Sequence, residues 1–209
     1  MLISIAMVTR RTLSLFGLIS ASSALSGPAP LDAAFARYAP LTVLHIVPGL
    51  IFVVLGPLQF VKTLRTRRPI VHRRIGRIVL TSGLVTGVTA LAMTTQMAIG
   101  GATERAATAL FGVLFLVALA RAFACIRRRQ VALHREWMIR AFSLGLAVAT
   151  VRPIVGAFFA TQSVTGLTPP EFFGIAFWLG FTMHLIGAEA WINHTRPERT
   201  VVHEGLSAG

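Results

Sequence analysis

The chain contains five apolar stretches of about 20 residues each. This is the length a helix needs to cross a hydrocarbon core of about 30 Å, so these stretches limit the chain to a membrane-spanning fold. The stretches are bounded by charges or by Pro and Gly, and they cover residues 41–61, 76–99, 106–126, 138–161 and 172–192. Only 13% of the residues are charged, against about 25% in an average soluble domain. The sequence therefore predicts an all-α integral membrane bundle, with a polytopic domain over residues 27–195.

A shorter apolar segment, residues 13–25, follows Arg10 and Arg11. It predicts a sixth transmembrane helix within an N-terminal region, 1–26. A secretory signal is the alternative, because a basic start, a short apolar region and small residues near Ser26 also fit a cleavage site. Both interpretations leave residues 27–40 outside the cell, and residues 196–209 form a tail.

The charge distribution predicts the orientation of the bundle. The chain carries a formal net charge of +13, and all but three of its 20 Lys and Arg residues lie at the N-terminus, in alternate loops or in the tail. The exceptions are Arg37, Arg105 and Arg152. Cytoplasmic loops retain positive charge, so we expect the basic loops and the C-terminus to be cytoplasmic. Because the positive charge lies in the loops beside the apolar stretches, it does not indicate a nucleic-acid partner. It indicates contact with membrane lipids instead.

A weak internal repeat relates two parts of the chain at an offset of 62 residues. An apolar helix, a basic loop and a His-Arg pair recur, so that His72-Arg73 corresponds to His134-Arg135. Two similar helical hairpins are therefore predicted to form a four-helix core, with the first and last of about six helices packed outside it.

Four sequence features together resemble a known family. They are His45 with Gly49, the run GPLQF at 56–60, HRRIGR at 72–77 and HREWMIR at 134–140. The chain resembles, over about residues 41–160, the bacterial multispanning membrane family called domain of unknown function 2306. The resemblance implies a protein of the bacterial cytoplasmic (inner) membrane, and it carries no established activity.

His72 and His134 are candidate ligands of a metal, the iron of a b-type haem. A helix turns about 100° per residue, which places each histidine on a glycine-containing face directed into the bundle. The two stand at equivalent heights, as bis-histidine ligation requires. Arg73 and Arg135 could neutralise haem propionates or lipid head groups. The alternative is that both His-Arg pairs only fix helix ends at the membrane interface.

Arg152 is the most unusual residue, because a guanidinium inside an apolar helix is costly and usually paired or exposed to a polar cavity. It lies about 27 Å beyond His134 along the helix, toward the outer side. His45 and Gln96 stand at similar depth, so the three predict an outer pocket for a quinone head group, a lipid phosphate or a haem propionate. The alternative is a structural bond to helix-end carbonyls, eased by a break at Pro153.

The sequence lacks the motifs of several activities. No P-loop, dinucleotide-binding glycine motif, HExxH motif or nucleophile elbow is present, which argues against nucleotide-driven pumps and zinc proteases and favours a non-enzymatic role without deciding it. The first functional hypothesis is a haem-binding electron-transfer subunit that works with a quinone or a redox partner protein. The alternatives are a non-catalytic scaffold that binds lipid or a partner and, less favoured, a transporter.

Overall fold

The structure, a computed structural model, describes residues 35–196. The predicted N-terminal helix or signal over residues 1–26 and the tail beyond residue 196 lie outside this range. The helices are α1 (Ala39–Leu55), a short 3-10 turn (Pro57–Phe60), α2 (Lys62–Arg67), α3 (Pro69–Met97), α4 (Gly101–Arg127), α5 (Val131–Thr165) and α6 (Pro169–Thr195).

Five segments of the described region are long and apolar enough to cross a membrane. They are α3, α4, α5, α6 and α1 continued through its 3-10 turn, Ala39–Phe60. The expectation of an all-α membrane bundle is confirmed. Large apolar side chains such as Val88, Met183 and Ile186 are more than half exposed, as expected of surfaces that lipid covers.

The helices extend beyond the apolar stretches at their polar ends. α3 begins at Pro69 and α5 at Val131, so His72 and His134 are each the fourth residue of their helix. Arg is a good helix former and proline is favoured at the first helical position, which explains why these basic segments are helical. The matching register supports the internal repeat.

The helix α6 starts at a capping box. Thr168 is the N-cap, and its backbone N–H donates to the Glu171 carboxylate at 2.7 Å while Pro169 occupies the first helical position. A capping box satisfies N–H and side-chain groups that a helix start leaves unpaired. The preceding helix, α5, ends at Thr165, and its C-cap residue is Gly166, whose positive φ of 66° suits glycine.

The two hairpins form the core of the bundle. α1 packs along α3 and α4 packs along α5, while α3 contacts α4 and α1 meets α5 over a shorter length. α6 packs against α4 and α5 and contributes Phe181 to the main apolar core. We call the end with residues 62–77, 121–140 and 196 the basic end, and the other the opposite end.

Candidate functional site

A cavity of about 310 Å³ lies between the helices in the half of the bundle nearest the opposite end. Its volume falls at the lower end of the range of about 300–1,000 Å³ usual for small-molecule sites. The wall is mostly apolar and includes aromatic residues of α4 and α6 such as Phe115 and Phe177. Among the described residues, the polar ones in the wall are His45, Thr86, Thr94, Glu104, Thr108 and Arg152.

The cavity exists because α1 and α5 are close near the basic end and are separated by it farther on. Phe52 of α1 packs against Phe142 of α5, with ring centroids 5.8 Å apart. A Cβ at Gly145 would lie 2.5 Å from the Phe52 ring, so only glycine allows this approach. Phe52, which is 1% exposed, forms the floor, and His45 and Arg152 line the wall beyond it.

His45 is fixed to α3 through one ring nitrogen. Its Nδ1 lies 3.1 Å from the Thr86 carbonyl oxygen and 3.1 Å from Thr89 Oγ1. A carbonyl only accepts hydrogen bonds, and the Thr89 hydroxyl donates to the Val85 carbonyl at 2.7 Å. Nδ1 must therefore carry the proton, which leaves Nε2 as a hydrogen-bond acceptor in the neutral imidazole.

Arg152 and Glu104 bring opposite formal charges to the same cavity. Arg152 lies close enough to both Glu104 and His45 to act on them electrostatically. Glu104 is buried in the first turn of α4. Its Oε2 accepts the backbone N–H of Gly100 at 2.5 Å, a favourable place for a carboxylate because the helix N-terminus is partially positive.

Two details of the predicted outer pocket differ in the structure. Gln96 is not among the described residues that line the cavity, and its Oε1 accepts a hydrogen bond from the Tyr38 hydroxyl at 3.1 Å. α5 also continues through Pro153 to Thr165 rather than breaking there. Because proline has no N–H, Pro153 cannot donate to the carbonyl of Ala149, which lines the cavity.

His72 and His134 lie near each other at the basic end, away from the cavity. The two interact electrostatically, and His134 Nδ1 lies 2.8 Å from the Ala122 carbonyl oxygen, which leaves its Nε2 available to a ligand. His72 Nδ1 is buried without a hydrogen-bond partner in the described region.

The space expected for a haem beside these histidines is filled by side chains. A Cβ at Gly76 would lie 3.0 Å from Gln59 Oε1, one at Gly83 2.9 Å from a Leu119 methyl carbon, and one at Gly145 2.5 Å from Phe52. A haem would need these glycine-containing faces to be open, but the glycines accommodate protein side chains. In this packing the residues present do not fit a haem.

The arginines beside the two histidines have different surroundings. Arg135 donates to Thr195 Oγ1 at 2.9 Å and so connects α5 to α6. Arg73 is exposed at the basic end and acts electrostatically on His72.

Ion pairs at the basic end join α5 to α6. Arg140 binds both oxygens of Glu189, at 2.6 and 2.8 Å, and Arg196 binds both oxygens of Glu136, at 3.0 and 2.9 Å. The Glu136 carboxylate holds the pKa of Arg196 above its ordinary value. Arg140 also lies 4.7 Å from the centre of the Trp137 ring. These contacts fasten the ends of two neighbouring helices.

Comparison with known proteins identifies one relationship. The family model described as "Predicted membrane protein (DUF2306)" matches residues 42–192, from the beginning of α1 to the end of α6. This confirms the resemblance seen in the sequence motifs and extends it through the last helix. No curated protein and no solved structure matches the chain.

Proposed function

Because the chain belongs to the predicted membrane protein family DUF2306, we propose that it acts within the bilayer, as a protein that binds a quinone or quinol in the cavity between its two hairpins. The proposal concerns binding, and it assigns no reaction to the chain. It rests on the shape of the cavity, the polarity of its wall and the charges at one end.

The cavity suits a molecule with an apolar body and a small polar head. Apolar and aromatic side chains form most of the wall, while His45, Glu104 and Arg152 stand toward the opposite end. Ligand sites commonly combine an apolar wall with a few polar groups that fix the orientation. An isoprenoid quinone has this distribution of polarity and dissolves in the hydrocarbon core.

The presence of Glu104 beside Arg152 is the observation that favours a quinone over an anion. A lipid phosphate or a haem propionate would gain from Arg152 but would be repelled by the Glu104 carboxylate. Among the residues that the structure describes, the cavity wall carries one cation, Arg152, and one acidic side chain, Glu104, and this balance of formal charge suits a neutral head group.

The hydrogen-bonding groups complement both redox states of such a head group. Arg152 has only donors and can donate to a quinone carbonyl. His45 Nε2 is an acceptor because Nδ1–H is held by Thr86 and Thr89, so it can accept the hydroxyl proton of a quinol. The proposed roles are therefore orientation of the ring by Arg152 and recognition of the hydroxyl by His45.

In this proposal the basic end faces the cytoplasm, because positively charged loops are retained there. The cavity then lies in the outer half of the bilayer. The one cysteine of the chain, Cys125, is first replaced by Ala so that a new cysteine can be labelled alone. A membrane-impermeant maleimide should then label Arg128→Cys only after the cytoplasmic membrane of intact cells is opened. Labelling of intact cells before the membrane is opened would show that the basic end faces outward, the opposite of the proposed orientation.

The test is equilibrium binding of labelled decylubiquinone to the protein in nanodiscs. We expect saturable binding in the wild type and a loss of about ten-fold or more in affinity for Arg152→Leu, since a hydrogen bond to a charged group is worth about 1.5–3 kcal/mol. Arg105→Leu is the matched control, because Arg105 lies exposed at the same end and does not line the cavity.

A second variant guards against misfolding of Arg152→Leu. Ala90→Leu adds apolar volume to the cavity wall without changing a polar group, and it should also prevent binding while the helices stay folded by circular dichroism. Equal, non-saturable partitioning of the quinone in the wild type and both cavity variants would refute the proposal.

A further inference from the structure

Two polar side chains at the basic end, Gln59 and His72, have buried nitrogen atoms without hydrogen-bond partners in the part of the chain that the structure describes. The atoms are Gln59 Nε2 and His72 Nδ1. Buried polar atoms are paired in most native structures, and each exception asks for an explanation such as a ligand. The quinone cavity does not include either residue.

The two side chains come from different helical segments, and both are located with respect to Gly76 of α3. Gln59 lies in the turn after α1, and its Oε1 would be 3.0 Å from a Cβ on Gly76 of α3. Gly76 is one helical turn beyond His72, so both side chains occupy the same face of α3. The Gln59 amide therefore lies about one helical turn from His72 on the same face of α3, and we call these two side chains the polar patch.

The surroundings of this patch are strongly positive. Residues 62–77 include seven Lys and Arg residues and no Asp or Glu. Arg65 of α2 and Arg73 of α3 both act electrostatically on His72. The carboxylates of the neighbouring helices at this end, Glu136 and Glu189, are held by Arg196 and Arg140. Within residues 35–196, a ligand here therefore meets cations without a nearby unpaired carboxylate.

We propose that Gln59 and His72, with Arg65 and Arg73 at the rim, bind a phosphate group at the basic end of the bundle. The Gln59 amide nitrogen is a donor, and His72 Nδ1 is also a donor in the tautomer in which it carries the proton. In that form both nitrogens need an acceptor. Phosphate oxygens are strong acceptors and carry the charge that the arginines favour. A phospholipid head group brings such a phosphate to the interface, and free phosphate is the other source.

The phosphate reaches the two nitrogens after small side-chain rotations. Gln59 and His72 are only half-buried as residues, although the two nitrogens themselves are covered. The proposal requires the amide and the imidazole to rotate about their terminal torsions so that these nitrogens face the rim, and such sp³–sp² torsions are soft.

The test is native mass spectrometry of the full-length protein with phosphatidylglycerol, diacylglycerol and inorganic phosphate as separate probes. We expect retention of phosphatidylglycerol but not of diacylglycerol, which lacks the phosphate. Gln59→Leu should weaken the first phosphatidylglycerol by about ten-fold, the effect of one charge-assisted hydrogen bond. Arg128→Gln, which removes a charge from the α4–α5 loop at the same end, should change it by less than about two-fold, as expected for a screened surface charge.

The melting temperature of the lipid-free protein provides a second measurement, and the proposal predicts the direction in which it changes. Gln59→Leu removes an unpaired buried polar group, so the lipid-free variant should be at least as stable as the wild type. Inorganic phosphate that stabilises the wild type but not Gln59→Leu would support the site with free phosphate as its source. Two results would overturn the proposal: an equal loss of phosphatidylglycerol affinity in Gln59→Leu and Arg128→Gln, or no loss of that affinity in Gln59→Leu.

Discussion

The imidazole of His45 on α1 donates its Nδ1 proton to the carbonyl oxygen of Thr86 on α3, 3.1 Å away. The same contact joins the two helices of the first hairpin and determines which ring nitrogen can serve a ligand. Structure and recognition are thus combined in one side chain, so its replacement should affect both.

We expect His45→Phe to reduce the affinity for decylubiquinol by about ten-fold and the stability by about 1 kcal/mol, the value of one hydrogen bond. The change keeps an aromatic ring but removes both nitrogens. Binding and thermal unfolding are measured on the same nanodisc preparations. Leu44→Phe is the control, because Leu44 is 53% exposed on the outer surface of α1. Unchanged quinol affinity in His45→Phe would remove this residue from the site.

The effect of replacing a core glycine depends on which side chains pack against it, and the sequence alone does not give those neighbours. A Cβ on Gly145 would meet the Phe52 ring at 2.5 Å, whereas a Cβ on Gly156 of the same helix has nothing within 4 Å. We expect Gly145→Ala to lower stability by about 1–3 kcal/mol through overpacking. Gly156→Ala should instead be neutral or slightly stabilising.

Chemical unfolding in mixed micelles measures this difference. The double variant Gly145→Ala with Phe52→Leu should recover part of the loss, since the smaller side chain removes the clash. A Gly145→Ala protein as stable as Gly156→Ala would show that α1 and α5 are not in close contact at this level.

The ion pair between Arg140 and Glu189 should contribute about 1 kcal/mol of coupling energy in a double-mutant cycle with Arg140→Gln and Glu189→Gln. The bidentate geometry favours a measurable value, while the 41% exposure of the Glu189 side chain limits it through solvent screening. The coupling should decrease at high salt. A coupling of zero at low salt would indicate that the ends of α5 and α6 are held by packing alone.

We expect the purified protein, expressed in haem-replete cells, to show no Soret band and no reduced α band. The glycine-containing faces that carry His72 and His134 are occupied by Gln59, Leu119 and Phe52, so these faces offer no open groove for a porphyrin. The absorbance spectrum decides this prediction. A Soret band that disappears in His72→Ala or His134→Ala would show that the helices separate to admit the cofactor.

Much of the fold could be predicted from the sequence because the bilayer imposes a length on each apolar segment. The five spans and the two matching hairpins followed from that length and from the repeated His-Arg pairs. Helix ends were harder, since basic residues before Gly76 and Met138 continue the helices without being apolar.

The composition of the cavity was only partly accessible from the sequence. Arg152 and His45 were identified by their depth along the predicted helices. Depth does not determine the direction in which a side chain points around a helix, and Gln96 was therefore wrongly placed in the pocket. Glu104 was missed because the apolar stretch of α4 begins after it. The signal that could have identified it is an acidic residue in the first turn of a helix, where a carboxylate is favoured by the partially positive N-terminus.

Photoaffinity labelling with an azidoquinone tests most directly the claim that the cavity holds a quinone. We expect labelled peptides from the cavity walls of α1 and α5, around His45 and Arg152, and we expect this labelling to disappear in Ala90→Leu or with excess decylubiquinone. Label spread over the outward faces of the helices, unaffected by Ala90→Leu and by competitor, would contradict the account.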